Sequence, residues 1–161
     1  MTGNRDWVGL AAFLAVCLGV MAVGGAVTST TVDTWYQTRA KPDFAPPDWV
    51  FGPVWAALYI MIAVAGWLVW RQTGIRGPAQ ALFAAQLALN LTWSVLFFGM
   101  TWIGAALVEI IVLWIVIAAT TKAFLGINRT AAALFVPYLL WVGYAAVLNG
   151  AIWVMNGRPF P

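Results

Sequence analysis

The sequence predicts an all-α membrane protein, a single domain built as a bundle of five transmembrane helices, and three observations carry that expectation. Of 161 residues, 63% are hydrophobic and only 8% are charged. A soluble domain carries about 25% charged residues, so this chain lacks the polar surface to face water on all sides. No Asp, Glu, Lys or Arg occurs between Asp6 and Asp33, Asp48 and Arg71, Arg76 and Glu109, or Arg129 and Arg158. A helix crosses about 30 Å of hydrocarbon with about 20 apolar residues, and each of these intervals supplies them. Between them gather the turn formers Gly74, Gly77, Pro78, Gly99 and Gly126.

The first helix is expected at about 7–30. Its Gly24–Ala26 stretch has the small residues of a signal cleavage site. The apolar run is longer than a signal core, however, and Arg5 is offset by Asp6, so a retained helix is expected. Small residues recur at Ala11, Ala15 and Gly19, and at Ala22 and Ala26, suiting close helix approach within the bundle or a seam between two copies. Cys17 is the sole cysteine, which excludes an intramolecular disulfide and leaves it a small packing residue.

Residues 31–49 form the one long connection, a lid able to fold over the end of the bundle. Pro42, Pro46 and Pro47 restrict its backbone, and Asp48 reads as the N-cap of the next helix. That helix, about 50–70, puts Trp55, Tyr59 and Ile62 on one face.

Pro78 starts the third helix, about 79–98, from its first position. Gln86, Asn90, Trp93 and Phe97 share a face, and amides in hydrocarbon are costly unless satisfied, so that face points inward. Gln86 reads as an interhelical hydrogen bonder; Asn90 reads equally as such a bonder or as pocket lining. Ala81 and Ala85, and Ala84 and Ala88, form two more small-residue rows.

The fourth helix, about 104–124, carries Glu109 in the apolar interior and Lys122 near its end, where it can snorkel. An intramembrane carboxyl is a functional hypothesis by default. No cation stands at its depth, so a protonated or snorkelling Glu109 bonded to a neighbouring Trp or Asn is expected. Thr130 reads as the N-cap of the fifth helix, about 131–154, whose Tyr138, Trp141, Ala145 and Asn149 fall on one stripe. The short joints at 71–78, 99–103 and 125–130 make helices two to five antiparallel neighbours.

Among 11 tryptophans, Trp7, Trp49, Trp70, Trp102 and Trp153 fit an interfacial belt, whereas Trp55, Trp93 and Trp141 lie deeper and are pocket candidates. Histidine is absent, which removes the commonest metal ligand, general base and haem axial ligand together; no metal site is expected. No phosphate loop or paired intramembrane carboxylates are present, which argues against hydrolytic and phosphoryl chemistry. The net charge of +3 comes without a basic run, so nucleic acid is not a partner. Arg5, Arg71, Arg76, Lys122 and Arg129 fall on one side of the membrane, against Arg39, Lys41 and Arg158 on the other. This places the N-terminus in the cytoplasm.

The run Trp35–Tyr36, Lys41–Pro42, Pro46–Pro47, then Val54, Trp55, Leu58 and Tyr59 resembles the first-loop signature of the TspO/MBR family, the tryptophan-rich sensory and translocator proteins. Gln86–Phe98 resembles that family's third helix and Pro137–Asn149 its fifth. The resemblance implies a five-helix bundle, often a homodimer in the lipid bilayer, with a pocket capped by the first loop. It implies binding of protoporphyrin IX or a related porphyrin, not covalently bound, and of sterols or drug-like molecules. The implied pocket residues are Trp35, Tyr36, Pro47, Trp55, Asn90, Trp93, Phe97, Trp141 and Ala145. Lys41 or Arg39 is placed to meet a porphyrin's carboxylates, or else is a solvated lysine or arginine. Some bacterial relatives degrade protoporphyrin in light, and the tryptophans tied to that reaction match Trp55 and Trp141. Two departures stand out. Phe44 occupies a position where the family has Trp, and the sterol-type motif after Leu148–Asn149 lacks its aromatic and basic residues. The functions left open are a porphyrin-binding sensor, a light-dependent porphyrin-degrading enzyme, and a porphyrin or sterol transporter. No inverted repeat supports the alternating-access kind of transport.

Overall fold

The computed structural model describes residues 2–158 and 160; Met1, Pro159 and Pro161, at the ends of the expected 1–161 unit, lie outside the described residues. The helices are α1 (Thr2–Ser29), α2 (Phe51–Thr73), α3 (Pro78–Ser94), α4 (Ile103–Leu125) and α5 (Arg129–Met155). All five are long and apolar enough to cross a membrane, and no strand occurs among the described residues. The protein is an integral, multi-pass membrane protein.

Local chemistry sets the ends. α2 stops where Gly74 adopts a φ of 74°, its N–H still bonding the Trp70 carbonyl. Gly77, at φ 133°, then delivers Pro78 to the start of α3, as expected. The third span does not stay α-helical to residue 98. After Ser94 it widens into a π-helical turn, Val95–Gly99, in which the Met100 N–H reaches back to the Val95 carbonyl at 2.8 Å. Asn128, not Thr130, caps α5: its backbone is extended and its Oδ1 accepts from Ala131 N–H at 3.0 Å, which leaves Thr130 inside the first turn. Asp48 is likewise not a side-chain cap. It opens a short 3₁₀ turn, Asp48–Val50, and its carboxylate accepts from Gln37 Nε2 across the loop.

The helices form a ring in the order α1, α2, α5, α4, α3. Of the expected antiparallel neighbours, α3 packs on α4 and α4 on α5, whereas α2 and α3 touch little. Near their joint Gln80 Nε2 donates to the Gly66 carbonyl at 3.4 Å and the Phe83 ring covers Gly66. A short loop fixes proximity at its own end alone; beyond it, the apolar faces decide which helices stay together.

That end of the bundle is solid. Phe13, Phe83, Phe124 and Phe135 interlock there, the last two at 5.0 Å between ring centroids. α1 is stapled to α2 by Trp67 Nε1 donating to the Asp6 carbonyl at 3.0 Å and by the Arg71–Asp6 ion pair at 3.1 Å. Trp70 turns onto Gly9 and Phe13 rather than outward to a belt, whereas Trp7 and Trp49 are exposed as expected. The small-residue rows at Ala11, Ala15, Gly19, Ala22 and Ala26 and at Ala81, Ala84, Ala85 and Ala88 lie exposed, not in the seams of the bundle. Both carboxylate oxygens of Glu109 are buried without a hydrogen-bond partner among the described residues, so the expected bond to a neighbouring Trp or Asn does not form.

Candidate functional site

At the opposite end the helices part around a cavity of about 530 Å³, within the range of small-molecule pockets. α1, α2, α3 with its π-helical turn, α5 and the start of the lid supply its walls; α4 supplies none. Two polar assemblies hold the walls apart and in register. Tyr59 Oη donates to Asn90 Oδ1 at 2.7 Å, Asn90 Nδ2 donates to Tyr138 Oη at 2.9 Å, and Tyr138 Oη donates to Gln86 Oε1 at 3.0 Å. One turn further along α3, Trp93 Nε1 donates to Asn149 Oδ1 at 3.1 Å, and Asn149 Nδ2 donates to the Ile103 carbonyl at 3.0 Å. α3 and α5 are not close-packed along their backbones, so these side chains span the gap. In an apolar interior an unpaired amide costs about 1–3 kcal/mol, which makes the chain of bonds a geometric constraint on three helices. Asn90 thus serves both readings left open for it: it bonds across the bundle and it lines the cavity.

Above this floor the walls are aromatic. Trp93 stacks on Phe97 at 5.2 Å and 23°, a contact across the junction with the π-helical turn. Trp55 lies tilted on Tyr59 at 5.8 Å and edge-on to Tyr138 at 6.3 Å. Trp141 meets Phe51 at 6.0 Å and Tyr144 at 5.6 Å, and its indole N–H is buried with no acceptor among the described residues. An indole donor without a protein partner, on a residue that lines the cavity, is available to an acceptor on a bound molecule.

Of the residues singled out in the sequence, Tyr36, Trp55, Asn90, Trp93, Phe97, Trp141 and Ala145 line this one cavity. Trp35, Lys41 and Pro47 do not line it. Trp35 packs edge-on to Phe97 at 5.7 Å; Lys41 Nζ lies 4.5 Å over the Tyr36 ring and donates to the Tyr36 carbonyl at 3.0 Å. Pro47 is exposed and accepts from the Val50 N–H at 3.0 Å. Arg39 is folded over Trp35 at 5.5 Å. Lys41 therefore braces Tyr36 and Arg39 covers Trp35, and the charged group on the cavity lining, among the described residues, is Asp48. Burial pushes the Tyr36 phenol up to about 12, with Asp48 and Tyr144 adding to the effect, so this wall is a neutral one.

The lid is pinned. Thr31 Oγ1 donates to the Phe98 carbonyl at 2.8 Å, Tyr144 Oη to the Phe44 carbonyl at 2.8 Å, and the Asn156 amide exchanges two bonds with the backbone of Ala40 at 3.0 and 3.1 Å. Phe44 itself packs on Tyr144 at 6.3 Å, so the position that departs from the family's tryptophan fastens the lid and does not line the cavity.

Sequence reasoning missed the contribution of α1: Met21, Ala22, Gly24, Gly25, Thr28 and Ser29 all line the cavity. The signal was present in Gly24–Gly25, since glycine inside a helix costs about 1 kcal/mol and marks a place where bulk is unwelcome. Gly24 approaches Ser94, with 3.4 Å from the site of a Cβ to Ser94 Oγ.

The chain matches the family described as TspO/MBR over residues 12–154. It is 41% identical over 157 residues to the tryptophan-rich protein TspO of Chlorobaculum tepidum, covering 95% of this chain and 99% of that one. It is 42% identical over 146 residues to the tryptophan-rich sensory protein of Cereibacter sphaeroides, covering 91% and 90% of the two chains. With the human translocator protein it shares 38% identity over 138 residues, 79% of this chain and 80% of the other.

Proposed function

The chain belongs to the TspO/MBR family, and from that premise we propose that it is a membrane-embedded binding and sensory protein for a flat, largely apolar macrocycle of the porphyrin class. The observation that carries this reading is the shared cavity of Trp55, Trp93 and Trp141 with Tyr36 and Phe97. Flat polarizable rings stack on such faces, and each aromatic pair contributes about 0.5–1.5 kcal/mol beyond its buried area. The unpaired Trp141 N–H supplies a directional contact to an acceptor on the ligand. Carboxylates of a porphyrin would point toward the lid. Meeting Lys41 there requires it to leave the Tyr36 carbonyl, while Asp48 repels them, so the ring and not the acid groups provides the affinity. The cytoplasmic N-terminus suggested by the charge distribution puts the lid on the far side of the membrane.

Titration of the purified protein with protoporphyrin IX tests the reading. Saturable quenching of tryptophan emission is expected, weakened in Trp93→Phe; an emission spectrum unchanged at saturating porphyrin would refute it.

A second reading, light-dependent oxidation of the bound porphyrin, draws support from Trp55 and Trp141 lying on the same cavity.

A further inference from the structure

Part of the cavity's lining is exposed on the outside of the bundle. Five of its lining residues are exposed: Ala22, Gly25 and Ser29 on α1, and Asp48 and Gly52 at the start of α2. The remaining lining residues are buried or half-buried. The exposed five form one edge, where the last two turns of α1 run beside the first turns of α2.

The packing of α1 explains the gap. Its first half is fixed to α2 by Trp67, Trp70 and Arg71. Its second half leans the other way, onto α3: Gly24 approaches Ser94, Val27 lies 3.2 Å from the Cβ site of Gly99, and Thr31 bonds the Phe98 carbonyl. α1 and α2 thus diverge from a stapled end, and the edges of the gap carry residues too small to fill it. A Cβ added at Gly25 or at Gly52 would meet nothing within 4 Å. By contrast, the lid above is held by Thr31, Gln37, Asn156 and Tyr144. On the opposite flank an external apolar groove between α2 and α5 is walled off from the cavity by Trp141, which borders both.

We propose that the ligand passes between the hydrocarbon of the bilayer and the cavity through this α1/α2 window, with the lid remaining closed. The window is graded. Ala22, Gly25 and Gly52 border its apolar part, and Ser29 and Asp48 stand at the end of the spans, at headgroup depth. It suits a membrane-dissolved amphiphile with a flat apolar body and polar groups at one end. This rests on the cavity being the ligand site, and it adds the route.

The test uses full-length protein in vesicles, with protoporphyrin IX delivered from donor vesicles and tryptophan quenching followed in time. Gly25→Phe and Gly52→Phe place rings in open space at the window. Both the association and dissociation rates are expected to fall by about tenfold, equivalent to about 1.4 kcal/mol on the barrier. Asn156→Ala, which unpins the lid, and Ala57→Trp, in the outer α2/α5 groove, should leave the rates unchanged. Unchanged rates in both window variants, faster exchange in Asn156→Ala, or equal slowing in Ala57→Trp would each overturn the window route. Loss of equilibrium quenching in the unmodified protein would overturn the porphyrin reading instead. The window then stands or falls on a ligand-free measurement: a nitroxide on Gly25→Cys should collide more with membrane-dissolved oxygen than with a water-soluble nickel chelate. The reverse ranking would place that edge in water and refute the route.

Discussion

Asn90 and Tyr138 are joined side chain to side chain at 2.9 Å across the inside of the bundle, between two helices whose backbones do not pack closely. Tyr138 is fully buried and passes the chain of bonds on to Gln86, while Asn90 takes the hydroxyl of Tyr59. The cavity keeps its width because these side chains set the distance between α3 and α5.

Tyr138→Phe is therefore expected to lower stability by about 1–3 kcal/mol, since it strands Asn90 Nδ2 and Gln86 Oε1 in an apolar interior. Gln86→Leu should cost less, because its Nε2 has no partner to lose. Unfolding midpoints in detergent micelles compare the two; a Tyr138→Phe protein as stable as the original would remove the network from the account.

Gly66 is a close approach in the solid half. A Cβ there would sit 2.6 Å from Phe83 and 2.9 Å from Phe13, so Gly66→Ala must displace interlocked rings. Overpacking of this kind costs about 1–3 kcal/mol. The midpoint of thermal unfolding should fall, with porphyrin affinity little changed in the protein that remains folded, because Gly66 lies at the other end from the cavity. Gly25→Ala, in open space, is the control and should not destabilise.

Trp141→Phe keeps a ring against Phe51 and Tyr144 but removes the unpaired N–H. If that donor meets the ligand, protoporphyrin affinity should fall by about fivefold to tenfold, the worth of one hydrogen bond. Equal affinities in the Phe variant and the original would show that the ring alone matters. The same variant and Trp55→Phe test the photochemical reading: porphyrin absorption should decay under light and air in the original protein, persist in the dark, and persist in both variants. Decay at the same rate without protein would dismiss it.

Tyr36 gives a pH dependence. Its phenol is raised from 10.0 in a free side chain to about 12, so the folded state favours the neutral form. The stability it contributes is fully present below pH 10 and is lost as pH rises through about 12. Unfolding midpoints measured across that window should drop in the original protein and drop less in Tyr36→Phe. Identical profiles would mean that Tyr36 does not titrate there.

Much of this site is legible in the chain. The spacing of Asn90, Trp93 and Phe97 predicts one inward face, and the stripe of Tyr138, Trp141, Ala145 and Asn149 predicts another; all of these but Tyr138 border the same cavity. Periodicity suffices there because a helix in lipid must turn its amides inward, whatever its neighbours are. The expected cap of α5, Thr130, gives way to Asn128, because the extended backbone there aims the Asn128 side chain at the Ala131 N–H. Trp35, Lys41 and Pro47 belong to the lid, where no period links residue number to direction; Trp35 and Lys41 brace the wall from behind, and Pro47 is exposed.

The sequence by itself determined that five apolar spans cross the membrane, that helices α2, α3 and α5 carry aromatic and amide faces, and that a proline-stiffened loop follows α1. Composition and helical period are local properties, and lipid as solvent makes them decisive. Only the tertiary structure decided that α2 sits beside α1 and α5 while parting from α3, that Lys41 lies outside the cavity lining, and that the second half of α1 leans toward α3. Those outcomes depend on competition among helix faces far apart in the chain, which Gly66, Gly24 and the Asn90–Tyr138 bond settle only once the helices have met.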